Sequence, residues 1–518
     1  MARGKGSGSM QLGLDLGTSA VKAVIATPER GVVARADAPL QVQTPGPYAC
    51  EQAPEDWWRA VRQVSARLAR EAPEAWRAIS AIGLSGQMHG AVLLDASGAV
   101  IRPAILWNDG RAFRECATLA RDLPGIGALA GVPPLPGFPA PKLMWLAEAE
   151  PAAHARIARM LMPKDWLGLR LHGQAVTDPS DAAGTLLFDQ ARRDWSAPLM
   201  QAAGVARDWL PRILGSAEIA GRLRPDAAAE LGLPAGLPVA AGAGDTAAGA
   251  VGLGVVGRGD GMISVGTSGQ ILLPTRRFRP DPDRMIHAFA HAVPEMWYRM
   301  AALLNGARPM AWFAGVAGAR IGTLLDEAAA ARDAPLCLPY LTGERTPHGD
   351  PHLRGAFWGM GYATSRGEMM RGVVEAVAFS FADAAEALAE GPLPSLLATG
   401  GGTRSDLLMQ MIADLLGVEI ARADDMASGP AYGAARLAAV AVGRMTPGDL
   451  AAKPAALHRF APRAAVSRAL AGKLDRFRAL HAALAPLAAE EGGRVPQSGA
   501  APAGLHLAAA ATAEGPGG

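Results

Sequence analysis

The tripeptide Gly-Thr-Ser occurs twice in the chain, and each copy follows a run of β-prone residues. The first unit reads LDLGTS over 14–19, and the second reads ISVGTS over 263–268. A second β-prone run follows each turn, over 20–26 in the first unit and over 270–273 in the second. Two strand–turn–strand units about half a chain apart predict two related domains.

Each half continues with a mixture of strand-like and helix-like segments. Apolar periodicity predicts strands over 80–84, 91–95 and 396–399, and helices over 54–70, 141–149, 369–389, 405–416 and 431–442. Such alternation favours sheets that are covered by helices. We therefore expect an α/β fold in each half.

The length of 518 residues also argues for more than one domain. A glycine-rich stretch over 254–261 lies between the two halves, and the composition changes again near Glu490. We predict an N-terminal extension over 1–9, a first domain over 10–256, a second domain over 257–488 and a disordered tail over 489–518.

Charge and cysteine content restrict the kinds of partner. The chain carries 50 Lys and Arg against 48 Asp and Glu, and this net charge of +2 gives no argument for a nucleic-acid or membrane partner. The most apolar window, 236–257, is interrupted by glycines and by Asp245, so no membrane-spanning segment is expected. Cys50, Cys116 and Cys337 lie far apart and form no CxxC pair, which is typical of a reduced, cytosolic protein.

The first Gly-Thr-Ser turn has the composition of a phosphate-binding loop. Gly17 permits a tight turn, and the amides around Thr18 can point toward phosphate oxygens. Asp15 precedes the turn and can hold Mg²⁺, which prefers oxygen ligands, although an ordinary hairpin turn containing an Asp is equally open. The second copy keeps the threonine, as Thr267, but carries Ser264 where the first copy has its acid. Two phosphate-binding turns with one acid are what a nucleotide held between two domains requires.

Two further segments have both a functional and a structural interpretation. Gly400, Gly401 and Gly402 follow a predicted strand, so that either a flat ligand lies against the main chain there or the segment is a tight turn. Asp245 opens a predicted helix among glycines and alanines. Its carboxylate either caps that helix or acts as the general base that phosphoryl transfer to an alcohol needs.

Three polar loops are candidates for binding a hydroxylated ligand. His89 lies between glycines at the end of a predicted strand. Trp107 and Asn108 open the segment WNDGR, which either offers an aromatic face with donors and acceptors or forms a hydrogen-bonded turn. The segment GERTPH over 343–348 has a similar composition, and its structural alternative is a salt-bridged loop between the domains.

These segments occur in the order found in the FGGY carbohydrate kinases, which the chain resembles from about residue 11 to about residue 486. The matching segments are DLGTS at 15–19, GQMHG at 86–90, RPAILWNDGR at 102–111, PGFPAPKLMW at 136–145, LMPKDWL at 161–167, SDAAGT at 180–185, GDTAAGAVG at 244–252, VGTSG at 265–269, LPYLTGERTPH at 338–348, GGGTRS at 400–405 and GPAYGAARLA at 429–438. The resemblance implies two actin-like (ribonuclease H-like) ATPase domains with a cleft between them. It also implies ATP and Mg²⁺ as cofactors.

Within the family the chain is most similar to members that phosphorylate D-xylulose, so the expected products are ADP and D-xylulose 5-phosphate. The resemblance implies that Asp245 is the general base and that Asp15 lies where Mg²⁺ and phosphate meet. Together with the loops above, the residues expected at the sugar are Met88, His89, Trp107, Asn108, Asp245 and Thr246. Those expected at the nucleotide are Gly17, Thr18, Thr267, Gly400, Gly401 and Gly402.

Thr246 departs from the family pattern, in which Asn usually follows the base. A hydroxyl offers fewer hydrogen bonds than an amide and reaches less far, so kinases of ribulose, gluconate or glycerol stay open as alternatives. An actin-like ATPase without a sugar acceptor is a further alternative, but it should lack polar loops such as 86–90 and 107–111. Family members are often dimers, so the resemblance leaves a homodimer open, with a small-molecule sugar as the substrate.

Overall fold

The computed structural model describes residues 9–424 and 429–492, with side chains up to residue 487. Residues 1–8 of the predicted N-terminal extension and residues 493–518 of the predicted tail lie outside the described residues.

The first half is built mostly from short strands and short helices. Its strands are β1 (Met10–Leu16), β2 (Ala20–Thr27), β3 (Gly31–Pro39), β4 (Glu51–Gln52), β5 (Ile79–Gly86), β6 (Val92–Leu94), β7 (Ala104–Ile105), β8 (Arg159–Leu161), β9 (Val176–Thr177), β10 (Phe188–Asp189), β11 (Asp194–Trp195), β12 (Arg212–Ile213), β13 (Ile219–Arg222), β14 (Pro238–Ala240) and β15 (Ala243–Gly244). Its helices are α1 (Pro54–Glu71), α2 (Pro73–Arg77), α3 (Phe113–Asp122), α4 (Ile126–Ala130), α5 (Pro139–Ala149), α6 (Pro151–His154), α7 (Pro163–His172), α8 (Pro179–Ala182), α9 (Ala197–Ala202), α10 (Pro225–Leu231) and α11 (Asp245–Leu253).

The second half has fewer and longer helices. Its strands are β16 (Met262–Val265), β17 (Gly269–Thr275), β18 (His287–Ala290), β19 (Trp297–Leu303), β20 (Leu336–Leu338), β21 (Ala356–Trp358), β22 (Leu396–Thr399), β23 (Ile420–Ala423) and β24 (Ala456–Phe460). Its helices are α12 (Arg308–Val316), α13 (Ile321–Ala330), α14 (Arg366–Leu388), α15 (Asp406–Leu416), α16 (Pro430–Ala441) and α17 (Ala464–Gly492).

The two halves build the same sheet twice, which confirms the predicted internal repeat. In the first sheet β3, β2, β1, β5, β14 and β13 lie side by side, and in the second β19, β17, β16, β22, β23 and β24 do so. Both rows have two antiparallel pairs, then two parallel pairs, then one antiparallel pair. The boundary predicted between 256 and 257 falls between α11 and β16, and it stays a prediction.

Two predicted segment ends differ from the structure by three residues or more, and the others by at most two. Helix α14 begins three residues before the predicted start at 369, because Ser365 and Glu368 form a capping box ahead of the apolar pattern. Helix α17 continues through 489–492, where the predicted tail begins. Ala489, Glu490 and Glu491 are good helix formers, and they extend the helix beyond its apolar pattern.

Strand β1 shows how alternation positions both the core and the site. Leu12, Leu14 and Leu16 belong to a hydrophobic core that also contains side chains of α1. Gly13 and Asp15 lie on the opposite face of the strand. A Cβ at Gly13 would lie 1.9 Å from the backbone oxygen of Ala431, so this face of the sheet accepts α16 at close range.

Helix α16 belongs to the second half of the sequence but packs on the first sheet and on α11. A Cβ at Gly83 would lie 1.9 Å from the Ala434 oxygen, and a Cβ at Gly433 would lie 1.8 Å from the Ala248 oxygen. Glycine therefore permits backbone contact at both surfaces of this helix. Within the described residues, no helix combines the length and the apolar character that crossing a bilayer requires.

Replacing Gly433 by Ala should lower the thermal unfolding midpoint, because the added Cβ forces α16 away from α11. We expect a loss of about 1–3 kcal/mol, the usual effect of overpacking. The matched control is Gly472→Ala on α17, where nothing lies within 4 Å of an added Cβ. It should be neutral or stabilising by up to about 1 kcal/mol, the helix-propensity gain of alanine over glycine. Equal midpoints for the two variants would contradict the close packing.

Candidate active site

Three parallel strands of the first sheet end together and define the candidate site. Asp15 on β1 pairs with Ser85 on β5, which pairs on its other side with Ala243 on β15. The segments that follow these positions therefore leave the sheet at one edge. They are the Gly-Thr-Ser turn, the loop of His89 and the start of α11. Ligands of open α/β sheets bind at this carboxyl edge.

Asp245 is the first residue of α11, and Gly244 occupies the N-cap position. The carboxylate oxygen Oδ1 of Asp245 accepts a hydrogen bond of 2.7 Å from the backbone nitrogen of the adjacent Thr246. A capping side chain would instead accept from the amide two or three residues ahead. The structure thus does not support the helix-capping interpretation, and it leaves the carboxylate half-buried at the sheet edge.

The electrostatic surroundings of Asp245 raise its pKa to about 7. The largest cause is desolvation by the surrounding protein, and repulsion from the carboxylate of Asp15 adds to it. Burial likewise raises the pKa of Asp15 to about 6, although Lys22 and a 3.0 Å hydrogen bond from the Ser85 hydroxyl oppose this shift. The two acids predicted from separate motifs therefore lie close enough to influence each other.

His89 is fixed through both its ring and its backbone. Its Nδ1 lies 2.7 Å from the backbone oxygen of Gly184, and its φ of 66° is uncommon for a residue with a side chain. A carbonyl oxygen only accepts, so Nδ1 carries the hydrogen and Nε2 is left as an acceptor. Desolvation lowers the pKa of His89 to about 3, which keeps the ring neutral. The ring packs against Phe138 with centroids 4.1 Å apart and planes tilted by 39°.

Met88 is buried beside the proposed base. A Cβ at Gly244 would lie 2.8 Å from Met88 Cγ, and a Cβ at Gly184 would lie 3.0 Å from its Cε. The side chain therefore fills the space between these two glycines. Its contact with the sugar stays a prediction.

Trp107 and Thr18 belong to one hydrogen-bonded chain. The Trp107 indole donates to the Thr18 hydroxyl at 2.9 Å, and that hydroxyl donates to Gln87 at 2.9 Å. The Thr18 hydroxyl is thus occupied within the protein, whereas the Thr18 backbone amide makes no hydrogen bond within the described residues and can donate to a phosphate. Gln87 in turn donates to Gln52, whose amide bonds the backbone oxygen of Thr18.

Asp109 and Arg111 of the segment WNDGR form a hydrogen-bonded turn. Such a turn was the structural interpretation given for this segment above. Asp109 accepts bonds from the Cys50 amide and from Arg111, and Arg111 also bonds Glu51. Asn108 is exposed, and within the described residues its side chain makes no hydrogen bond. Its place at the sugar stays a prediction.

The second half presents the equivalent edge of its own sheet. Ser264 pairs with Thr399, as Asp15 pairs with Ser85 in the first half, so the serine replaces the acid as predicted. The exposed Thr267 follows on the Gly-Thr-Ser turn. Gly400, with φ of 98°, and Gly402 approach the backbone of Val265 so closely that a Cβ would fall 2.7 and 2.9 Å from its oxygen.

Lysine 142 was not predicted as a site residue. Its Nζ is buried and donates to the backbone oxygens of His89, at 2.6 Å, and Ile105, at 3.1 Å. Burial without a bonded carboxylate lowers the pKa of Lys142 to about 7. Lys142 lies in the segment PGFPAPKLMW. The sequence signal that could have indicated a buried lysine is its position in an otherwise apolar helix.

Histidine and aromatic rings of both halves meet at the His89 loop. Phe138 lies 6.3 Å from Phe289 and 6.4 Å from His287, measured between ring centroids. Desolvation is the main cause of the lowered pKa values of His89 and His287, and the charge of Arg345 adds to it, which places the Arg345 side chain toward this cluster. The segment 343–348 therefore faces the first half.

The salt-bridged alternative for segment 343–348 was wrong. Glu344 accepts hydrogen bonds from the Leu304 amide at 2.5 Å and from the Asn305 side chain at 3.1 Å, both in the second half. The buried carboxylate accepts from the Leu304 amide, which has no strand partner because β19 ends at Leu303.

The two halves of the chain match the two domains of one protein family. The N-terminal domain of the FGGY family of carbohydrate kinases matches 10–252, and its C-terminal domain matches 261–442. The xylulose kinase of Escherichia coli (strain K12) is 41% identical over 438 residues, covering 83% of this chain and 90% of the relative. The xylulose kinase of Bacillus subtilis (strain 168) is 35% identical over 451 residues, covering 83% and 88%.

A solved structure has the same architecture. The crystal structure of a xyloylose kinase from Brucella ovis superimposes with a TM-score of 0.88 at 41% identity, covering 92% of this chain and 100% of that chain. The duplicated sheets and these matches confirm the predicted fold class of two actin-like α/β domains with a cleft between them. The chain belongs to the FGGY family of carbohydrate kinases.

Proposed function

We propose that this chain transfers the γ-phosphoryl group of ATP to D-xylulose and releases ADP and D-xylulose 5-phosphate. The observation that carries the reaction type is the placement of Asp245 and Asp15 at one sheet edge, beside the first Gly-Thr-Ser turn. The choice of sugar rests on the similarity to xylulose kinases over nearly their whole length. The unpaired cysteines support a reducing, cytosolic location.

Asp245 is the proposed general base. A hydroxyl oxygen of the sugar attacks the γ-phosphorus while the bond from that phosphorus to the β–γ bridging oxygen breaks. The proton of the hydroxyl passes to the Asp245 carboxylate, and ADP leaves with the bridging oxygen. A base with a pKa of about 7 is well matched to neutral pH. Closure of the two halves would exclude water, which otherwise accepts the phosphoryl group.

His89 is proposed to accept a hydrogen bond from another sugar hydroxyl. Its neutral ring keeps the Nε2 lone pair for this purpose, since Nδ1 is held by Gly184. The bond from Lys142 to the His89 oxygen holds the strained backbone in place. Met88 and Trp107 supply the apolar surface around the acceptor.

Asp15 is the proposed protein ligand of Mg²⁺. One of its carboxylate oxygens accepts from Ser85, so the group is oriented before any ion binds. In the described part of the chain no three His, Cys, Asp or Glu side chains converge as metal ligands. Kinases usually hold Mg²⁺ by one or two carboxylates together with substrate phosphates, and Asp15 fits that pattern. When bound, Mg²⁺ neutralises charge on the phosphates.

The nucleotide is proposed to lie against the glycine-rich turns. Gly17 and the backbone of Thr18 would face its phosphates from the first half, and Thr267 from the second. Gly400 and Gly402 lie so close to β16 that a side chain would not fit at either position, and nothing lies within 4 Å of a Cβ at Gly401, so the turn presents bare main chain.

Thr246 supports a second candidate, a kinase of another keto-sugar or polyol. Its hydroxyl lies 3.4 Å from Asp245 Oδ1, so it turns toward the base. An asparagine there would offer two donors and an acceptor to the sugar. Threonine at this position lacks these hydrogen bonds, and this is the specific feature that favours ribulose, gluconate or glycerol as the substrate.

A panel of sugars tests the proposed function. D-xylulose, ribulose, gluconate and glycerol are each supplied at the same low concentration, and ADP release is coupled to NADH oxidation. ADP release should be fastest with D-xylulose. The control omits the sugar and measures ATP hydrolysis by water. If D-xylulose gives no more ADP than this control while another compound does, the second candidate is correct.

Replacing Asp245 by Ala should lower kcat by about 10²–10⁴-fold, the usual contribution of a general base. Asp245→Asn should behave alike, because an amide keeps the shape but does not take up the proton. ADP affinity, measured by calorimetry, should stay within about threefold, which is under 1 kcal/mol. Asp326→Ala, which removes an exposed acid on α13, is the matched control and should keep full activity. Unchanged turnover in Asp245→Ala would remove this residue from its role.

The rate at low sugar concentration should fall as the pH drops below about 7. The base works in its ionised form, which prevails above the pKa and is lost below it, and the raised pKa of Asp245 brings this loss close to neutrality. The measurement is kcat/KM for D-xylulose across the pH range at fixed ATP and Mg²⁺, with circular dichroism to verify folding. An activity that is constant down to about pH 5, near the ordinary range of a carboxyl group, would contradict it.

A further inference from the structure

A buried group of four charged side chains lies behind the proposed base. Lys164 Nζ lies 2.5 Å from Asp165 Oδ1, 3.3 Å from Asp178 Oδ1 and 3.6 Å from Asp181 Oδ2, and all four side chains are 0% exposed. Burying such groups is costly even when they are paired, so the arrangement calls for a reason other than stability. We name it the Lys164 cluster.

The Lys164 cluster is bonded to the segment 241–244, which leads directly to Asp245. Lys164 Nζ donates to the backbone oxygen of Ala241 at 3.2 Å. The amide of Gly244 donates to the Ser180 hydroxyl at 3.1 Å, and that hydroxyl donates to Asp178 Oδ2 at 2.6 Å. The cluster therefore holds both ends of the segment.

The position of Asp245 depends on the backbone before it. Its carboxylate is bonded to its neighbour Thr246, which moves with it and so cannot anchor it. Gly244 has no side chain, and a Cβ there would meet Met88 at 2.8 Å. A glycine at the N-cap leaves the chain flexible unless its amide is held. Ser180 holds that amide.

The Lys164 cluster also orients the hydroxyl hydrogen of Ser180. Asp178 Oδ2 accepts from the Ser180 amide at 2.9 Å as well as from its hydroxyl. Because a carboxylate accepts, the hydroxyl must give its hydrogen to Asp178, and its lone pair is left to face Gly244. Lys164 lies beside the other oxygen of the same carboxylate. The bond to Gly244 is thus oriented before substrate binds.

We propose that Ser180, oriented by Asp178 and Lys164, is a positioning residue that holds Asp245 at the distance from the sugar hydroxyl that proton transfer needs. The proposal rests on the proposed function, in which Asp245 is the general base. A displacement of about 1 Å at a reacting group typically costs on the order of 10²-fold in rate. One hydrogen bond at the residue before the base is sufficient to control such a displacement.

Ser180→Ala tests the proposal, with Ser216→Ala as its matched control. Both hydroxyls are buried, 0% and 2% exposed, and each donates to Asp178 Oδ2, at 2.6 and 2.7 Å. Only the Ser180 hydroxyl also accepts from Gly244, and the Ser216 backbone oxygen that accepts from the Gly242 amide is kept in its variant. The two variants therefore lose a similar bond to the carboxylate but differ at the segment that leads to the base.

We expect Ser180→Ala to lower kcat with D-xylulose by about 10–100-fold, while Ser216→Ala stays within about threefold of the wild type. KM for ATP should change little in either variant, because the bond lies away from the nucleotide turns. Equal loss of kcat in both variants, or none in Ser180→Ala, would overturn the proposal. If Ser180→Ala does not fold, Ser180→Cys replaces it, since a thiol is similar in size but a weak acceptor.

The pH dependence of kcat/KM separates positioning from general loss of structure. A base released from its site gains water, which favours its charged form, so the acid limb should move to lower pH in Ser180→Ala. The charges that face Asp245 are those of Asp15 on β1 and Asp181 on α8, with the Tyr298 hydroxyl on β19, and the substitution keeps them all. A lower rate with an unchanged pH profile would overturn the proposal. A wild-type enzyme without sugar-dependent turnover would refute the proposed function instead.

Discussion

The pairing of β5 with β1 on one side and with β15 on the other decides where each part of the candidate site lies. Its register aligns Asp15, Ser85 and Ala243 in one row, so the three chain segments leave the sheet together. A slip of one residue would turn the acid of β1 to the opposite face. Gly13 and Gly83 in the same strands also let α16 lie on the sheet. The active edge and the junction of the two halves thus depend on the same strands.

Charge around this edge is arranged in two layers. Asp15 and Asp245 lie at the sheet edge, and burial together with repulsion from Asp15 raises the pKa of Asp245. Such a pair is suited to bind cations and to take up a proton. Behind it, Lys164 balances part of the charge of Asp165, Asp178 and Asp181. The inner layer is bonded to the main chain, which is why we assign it a role in geometry and the outer layer a role in chemistry.

The parts of the site that could be predicted are those encoded within a few consecutive residues. The turn after Asp15 and its copy after Ser264 were visible because a strand, a glycine and a hydroxyl residue follow one another. Lys142 and Ser180 were not visible as site residues. The one signal for Lys142, a lysine in an apolar helix, does not distinguish a buried amine from a surface lysine that covers its neighbours. A serine carries no pattern that tells where its hydroxyl points. Asn108 shows the opposite problem. It was predicted as a site residue from the polar composition of its segment, but composition does not tell whether a side chain is exposed.

The sequence by itself determined the duplicated α/β units and the strands that end in glycine-rich turns, because both follow from local periodicity and turn chemistry. It left Asp15 and Asp245 with two interpretations each, and the resemblance to the family is what assigned their expected roles. Only the tertiary structure decided that Asp245 lies beside Asp15, although about 230 residues separate them in the chain. It also decided that Gly244 is held by Ser180. Both results come from strand register and from the close packing of glycines, which act between residues far apart in sequence and leave no periodic signal in it.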